Sequence, residues 1–447
     1  MSAFEPGTRV HVVGVGGAGM SGLARLLSEM GCVLSGSDVR ESEVTDELRS
    51  AGVAISIGQR ADNLAHADVV LWSPAVAWDN VELVAARARG LTMLDRAHAL
   101  ASVGERQRVI GLTGTHGKTT ATSMMVHVLH AAGRDDSRLV GAPVRGVGPN
   151  GHWGSADLVM EVDESYGTFA LLSPYALGLL NVEPDHLDHY GTAHALEEAF
   201  RALVERTSGP VVAWTEDEGV RRVVAGAREV VTVAHERDAR WRVRAAGVGR
   251  RDAHFELVGP VGPLALTLGV TGLHNVANAA IVAALALEMG VGADAVVEGL
   301  GRFHGAPRRF EYRGRWRGAD VYEDYAHLPG EIAATLAGAR AAGYQRITAV
   351  FQPHRVTRTE HLAPSFAGVF DDALHVVVTD IYSAGEPNPH GVTGALVAHA
   401  VGERCVYAES FDDVLDELNS IEDSDALVLL GAGDVATLAS RLPGGFD

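Results

Sequence analysis

Residues 109–120 read Val-Ile-Gly-Leu-Thr-Gly-Thr-His-Gly-Lys-Thr-Thr, and helix-like sequence follows over 121–132. An apolar strand end, a Gly-rich loop and a helix start present backbone N–H groups to phosphate oxygens, with Lys118 available to the β- and γ-phosphates and the Thr119 hydroxyl to Mg²⁺. Leu112 stands where the longer form of this loop carries its first glycine, so the working core is the shorter Gly114-x-x-Gly117-Lys118-Thr119. The stretch predicts ATP binding on an α/β domain.

Outward from this loop, short β-branched runs alternate with Ala/Leu-rich stretches of helical period, the pattern of α/β units with parallel sheets. Strands are expected at 10–13, 33–36 (ending at Asp38) and 69–72, with a helix over 20–30, and this first block closes in the charged connection 104–108. The second block runs to about 306, with strands at 158–162, 177–181 and 211–214. Period-two alternation at 241–244 and 254–257 suggests antiparallel strands, and helix returns at 275–289. Gly305-Ala306-Pro307-Arg308-Arg309 is read as a hinge, and the third block has strands at 347–351, 376–379 and 426–430. The 447 residues fit roughly three domains.

With 47% hydrophobic and 21% charged residues, each block can bury an ordinary core. A formal net charge of −20 argues against nucleic acid or an anionic membrane surface as partner. Cys32 and Cys405, far apart in sequence, give no disulfide framework. The opening MSAFEPGTRV lacks the charged and apolar regions of a signal peptide, and no apolar window is long enough to span a membrane. A reducing cytoplasm is the expected compartment.

Other polar clusters follow expected strands. Gly14-Val15-Gly16-Gly17-Ala18-Gly19 fits G-x-G-x-x-G, and Asp38 lies at the end of the next strand, where a ribose hydroxyl could be read. NAD or FAD satisfies this motif, but so does any diphosphate at a helix N-terminus. Glu161-Val162-Asp163-Glu164-Ser165 offers carboxylates suited to Mg²⁺. Asn181-Val182-Glu183-Pro184-Asp185-His186-Leu187-Asp188-His189-Tyr190 could supply a second cation site or orient a substrate. His274-Asn275-x-x-Asn278 puts two amides on one helix face, able to read a nucleobase edge or to cap the helix. In the third block, Glu323-Asp324-Tyr325-Ala326-His327 and Gln352-Pro353-His354-Arg355-x-x-Arg358 combine a guanidinium for a carboxylate with His and Tyr for an amine.

Taken together, residues 14–24, 114–120, 161–165, 181–188, 274–278, 308–310, 324–327 and 352–359 resemble, in order, the Mur ligases of peptidoglycan synthesis. GVGGAGMSG and QPHRVTRT point to the alanine-adding branch. The resemblance implies a Rossmann-like UDP-sugar domain (1–106), a central P-loop ATPase with a mixed sheet (107–306) and a C-terminal Rossmann-like amino-acid domain (307–447). It implies a reaction in which the carboxylate of UDP-N-acetylmuramate takes the γ-phosphate of ATP and the acyl phosphate is attacked by L-alanine. Carried over by position, Gly14, Gly16, Gly17, Gly19, Met20, Ser21, Asp38 and His116 face the UDP-sugar. Gly114, Thr115, His116, Gly117, Lys118, Thr119 and Thr120 face the ATP phosphates, His274, Asn275 and Asn278 the adenine, and Asp324 the ribose. Lys118, Glu164 and His186 look catalytic, with Thr119, His186 and either Glu164 or Glu161 on Mg²⁺. Tyr325, His327, His354 and Arg355 match the alanine pocket. Three positions depart from the pattern: Tyr166 where Asp is usual, Leu328 in place of the second His of a His-His-Pro, and Glu323 in place of Asp. They leave open a relative that adds a peptide or another amino acid. A nicotinamide oxidoreductase would explain residues 14–38 alone, and a nucleotide-binding regulator would explain binding alone.

Overall fold

A computed structural model describes residues 3–227 and 229–446. Three α/β sheets follow one another along the chain. The first is parallel throughout, in the order Ala54–Ile57, Val33–Asp38, Arg9–Val13, Val69–Trp72, Thr92–Asp95. Arg9–Val13 carries valines at alternate positions and is buried over its last four residues, as a central strand covered by helices on both faces requires.

The second sheet has ten strands, centred on Val109–Thr113 between Ala176–Leu179 and Leu158–Glu161. Every residue of Val109–Thr113 is buried. Register pairs Leu112 with Glu161 and Thr113 with Leu179, so the loops that follow these three strands leave from one edge of the sheet. At the far side, Trp241–Val248, Ala253–Gly259 and Gly262–Leu268 are sheet neighbours joined by short turns, the meander anticipated from the period-two pattern. The third sheet runs Glu311–Trp316, Ala319–Asp324, Ala426–Leu430, Ile347–Phe351, His375–Thr379, Cys405–Ala408, parallel except for its first pair.

The chain divides into two compact units. One comprises 1–247, 254–269 and 273–304; the other comprises 248–253, 270–272 and 305–447. The first unit holds the first two sheets on a shared apolar core, which runs from Val10 and Leu23 through Leu158 and Leu177 to Val223. Their junction is made by glycine: a Cβ on Gly151 would fall inside the carbonyl oxygen of Gly22, so helix Ala18–Glu29 lies directly on strand Gly151–His152. The second unit packs its sheet between a core around Phe351, Ile332 and Phe366 and another around Val350, Leu418 and Leu438. The boundary at Gly305 falls inside the segment read as a hinge. Among the described residues no helix is long and apolar enough to cross a membrane. Cys32 and Cys405 are free thiols.

The first sheet buries one carboxylate completely. Glu82 accepts from the Asn63 side chain (2.6 Å), the Ser37 hydroxyl (2.6 Å) and the Arg60 amide (3.1 Å), with His11 Nε2 3.5 Å away. These donors hold its carboxyl below the ordinary 4.5 despite burial. Glu82→Ala should cost about 3 kcal/mol by orphaning them. A group held below its unfolded value stabilises above that value and loses the contribution as pH falls. Chemical denaturation of the wild type should therefore show stability dropping as pH falls below 4.5, with a shallower drop in the variant.

Candidate functional site

Two glycines shape the loop after Val109–Thr113. Gly114 has φ +143°, and a Cβ there would lie 2.9 Å from the Asn181 carbonyl oxygen; Gly117, at φ +83°, leaves room for the Asn278 amide. Gly117 caps helix Lys118–Ala131, whose first turn has no acidic residue and no side-chain cap, so its free N–H groups face outward for an anion. The loop is clamped from the neighbouring strand end. Thr115 N–H donates to the Asn181 carbonyl (3.1 Å), His116 N–H to Asn181 Oδ1 (2.7 Å), and Asn181 Nδ2 returns a bond to the His116 carbonyl (3.0 Å). Thr115 Oγ1 also accepts from the Glu183 amide at 2.9 Å. The His116 ring is exposed, 3.5 Å from Glu183.

Lys118 Nζ donates to the Gly114 and Thr115 carbonyls (2.8 and 3.1 Å) and to both oxygens of Glu164 (2.9 and 2.8 Å). Asp163 lies 3.8 Å from the same ammonium. The Glu164 side chain has no solvent exposure, and burial pushes its carboxyl upward against the pull of Lys118. Glu164 also groups with Asp185 and His186, one ligand atom of each lying within 4.8 Å of the others. His186 reaches this position with a left-handed φ of +50°.

Glu161 occupies a second position. It accepts from the Gly141 amide (2.5 Å) and from the Thr119 hydroxyl, and desolvation raises its carboxyl. The two candidates for Mg²⁺ are thus distinct in space: Thr119 with Glu161, and Glu164 with Asp185 and His186. Both offer hard oxygen donors of the kind a divalent cation takes beside phosphates. Thr120 follows, half-buried, in the first helical turn.

In the first sheet, Gly14 (φ +77°) turns the chain and the Gly16 amide donates to Asp38 Oδ2 at 2.9 Å. Asp38 therefore stands at the strand end as anticipated, holding the glycine turn with one carboxylate oxygen. Gly17 starts the helix, Gly19 lies 3.0 Å, by its would-be Cβ, from the Arg96 guanidinium, and Met20 and Ser21 are buried. Asn150 Nδ2 donates to Ser21 Oγ at 3.2 Å. Arg96 reaches on to Asp163 (3.4 Å), linking the first glycine turn to the acidic loop. On helix Leu273–Glu288, His274 is exposed, Asn275 half-buried and Asn278 buried against Gly117. The side chains of Tyr166 and Asp188 lie outside the described residues.

In the second unit, Asp324 is buried and its two oxygens accept from the Phe310 and Ala326 amides (2.8 and 2.7 Å). Glu323, one residue earlier, points to the opposite face and pairs with Arg313 at 3.4 Å. Tyr325, His327 and His354 form a row of edge-to-face rings, 5.5 and 5.7 Å between centroids. Arg308 and Arg309 lie over Tyr325. Glu331 accepts the His327 and Leu328 amides, fixing the helix start where Leu328 replaces a histidine. Burial among cationic neighbours holds His354 down to about 4. Arg355 faces Glu386 at 3.7 Å. Sequence reasoning passed over Arg96, the clamping role of Asn181, and the loop holding Tyr382 and Glu386. That loop follows strand His375–Thr379, and Asp380, Tyr382 and Glu386 just past a strand end were the available signal.

Three domain families match the chain in succession: "Mur ligase family, catalytic domain" over 9–108, "Mur ligase middle domain" over 154–286 and "Mur ligase, glutamate ligase domain" over 308–433. A UDP-N-acetylmuramate–L-alanine ligase of Thermobifida fusca (strain YX) is 40% identical over 451 residues, covering 97% of this chain and 96% of its own. One of Paenarthrobacter aurescens (strain TC1) is 42% identical over 445 residues with the same coverage. The crystal structure of a UDP-N-acetylmuramate-alanine ligase from Thermotoga maritima superposes with a TM-score of 0.83 at 30% identity, covering 97% of this chain and 98% of that one. A murein peptide ligase from Psychrobacter arcticus shares the fold at 24% identity and TM-score 0.73, with 98% of each chain covered.

Lys118→Ala should lower ATP turnover by about two to three orders of magnitude, the scale of losing one charge-stabilising donor at a reacting centre. The fold should survive, because the buried Glu164 carboxyl, already pushed upward, can take a proton once the ammonium is gone. Phosphate release together with circular dichroism checks both halves; a folded variant with wild-type turnover would remove Lys118 from the phosphate site.

Proposed function

The chain belongs to the Mur ligase family, and from that membership we propose that it is an ATP-dependent ligase joining L-alanine to UDP-N-acetylmuramate in peptidoglycan synthesis, in the cytoplasm. The observation that carries this reading is the 40–42% identity, over 97% of the chain, to ligases named for that reaction. The geometry agrees with it. A clamped phosphate loop, a lysine on a buried carboxylate and two oxygen-rich cation positions share one sheet edge.

Residues 1–106 take the UDP-sugar, with its diphosphate on the turn of Gly14, Gly16, Gly17 and Gly19 and the start of helix Ala18–Glu29, where Met20 and Ser21 lie; Asp38 keeps the turn in shape. Residues 107–306 take ATP. The amides of Gly114 to Thr120 hold phosphate oxygens, Lys118 offsets the γ-phosphate charge, and His274, Asn275 and Asn278 serve the adenine. Thr119 with Glu161, and Glu164 with His186, would hold Mg²⁺, which would supply positive charge beside the phosphoryl oxygens. Residues 307–447 take the amino acid through Tyr325, His327, His354 and Arg355.

The chain's own contribution is positioning and electrostatics. The sugar carboxylate attacks phosphorus and the acyl phosphate forms with release of ADP. The amine of alanine then attacks the carbonyl carbon, loses a proton and expels phosphate. His116, exposed and 3.5 Å from Glu183, is assigned to the substrate side of the loop.

ATP turnover should require the sugar nucleotide and an amino acid together, with L-alanine preferred. Phosphate release measured with each co-substrate omitted, and over a panel of amino acids and short peptides, checks this. Equal hydrolysis with neither would overturn the ligase reading, and a preference for a peptide would move the chain to the peptide-adding relatives that Leu328 and Glu323 leave open. Arg355→Ala should raise the KM for the amino acid by at least about tenfold while the KM values for ATP and UDP-sugar hold, because it removes a binding contact the other substrates do not share. Lys at this position should recover only part, since an ammonium lacks the planar fork.

A further inference from the structure

We propose that the Tyr382 ring is the positioning element of the acceptor pocket, locking His354 in one orientation while the Tyr382 main chain fixes Arg355. The inference rests on the assignment of Tyr325, His327, His354 and Arg355 to the amino acid, and adds a residue from a different loop.

The main chain of 353–355 is zipped to Tyr382 on both sides. The Tyr382 amide donates to the Pro353 carbonyl and its carbonyl accepts the Arg355 amide, each at 2.9 Å, and His354 and Tyr382 pair as an isolated parallel bridge. This matters because Arg355 adopts φ +72°, a conformation a side-chain-bearing residue holds only when its surroundings impose it. The Arg355 carbonyl is tied in turn, accepting from the Thr359 amide (3.1 Å) and hydroxyl (2.8 Å).

The ring does the second part. It lies parallel to His354, 10° between planes and 5.6 Å between centroids. At the stem of the side chain Gly433 leaves no room for a substituent: a Cβ there would come within 2.6 Å of Tyr382 Cβ and Cγ. Gly433 is anchored by its carbonyl to the Arg308 guanidinium at 2.9 Å. Tyr382 thus packs its stem against a fixed glycine and sets its ring parallel to the imidazole. His354 Nδ1 lies 3.3 Å from Arg358 Nη1, and a guanidinium can only donate, so Nδ1 accepts and the proton of the neutral ring sits on Nε2. The groups around His354 are His327, Arg355, Arg358 and Glu386, and burial first, then the cationic majority, keeps it neutral. A neutral imidazole with a defined donor, beside Arg355 and at the end of the Tyr325–His327 row, is a surface for a small zwitterion. It keeps that shape only while Tyr382 stays stacked.

Three variants separate the ring from the volume it fills. Tyr382→Phe keeps the flat ring and should leave the amino-acid KM within about threefold of wild type, while Tyr382→Leu keeps apolar bulk without a stacking face and should raise it at least about tenfold, with the KM values for ATP and UDP-sugar unchanged. Tyr382→Ala should resemble Leu if it folds, and thermal unfolding checks that it does. A merely structural role would move stability, or all three KM values together, and would overturn the inference; so would an equal effect of Phe and Leu, or an unchanged amino-acid KM in folded Leu. If wild-type turnover needs no amino acid at all, the acceptor assignment fails first, and that outcome is read from the wild type alone.

Discussion

A fully buried carboxylate facing an ammonium organises the first unit's chemistry. Glu164 without Lys118 would be a charge in a low-dielectric interior, which a protein tolerates only by pairing or neutralising it. The pair fixes where the lysine rests: over the carbonyls of its own loop, with its three protons directed at Gly114, Thr115 and Glu164. All three donors are therefore satisfied within the protein, and an anion entering the loop would have to draw the ammonium off one of these partners to be paired by it. The same carboxylate faces Asp185 and His186, so a cation arriving there would compete with Lys118 for Glu164.

Much of this was legible in the sequence, for a definite reason. The loops that carry chemistry follow buried parallel strands, and such strands announce themselves as short β-branched runs: Val69–Trp72, Val211–Trp214, Ile347–Phe351 and Ala426–Leu430 lie where the pattern puts them. Strands Ala54–Ile57, Thr92–Asp95 and Cys405–Ala408 escaped because they are sheet edges, half-exposed along most of their length, so they lack the buried β-branched run of a central strand. The helix after the phosphate loop starts at Lys118, three residues before its apolar pattern does, because Gly117 rather than periodicity sets its cap.

Within the sites, motif residues could be named but their partners could not. Arg96 meets Asp163 across 67 positions and Tyr382 supports His354 across 28, and no local spacing encodes either contact. Asn181 was visible as a strand-end residue, yet its grip on His116 depends on the pairing of Ala176–Leu179 with Val109–Thr113. The choice between Glu161 and Glu164 was open in sequence because both belong to one short motif. In the fold they diverge, one toward Thr119 and the other toward Lys118.

The contact between Gly22 and Gly151 has a consequence for how the gene can change. Every missense change available to a glycine codon by a single base adds at least a Cβ, and at Gly151 that atom has nowhere to go except into the backbone of the helix that opens at the first glycine turn. Displacing that helix would move the N–H groups of residues 17–21 relative to the acidic loop that Arg96 reaches. The junction between the first two sheets is therefore narrow in a mutational sense. It can drift only through paired backbone adjustments, which places a constraint on heredity far from any group that performs chemistry.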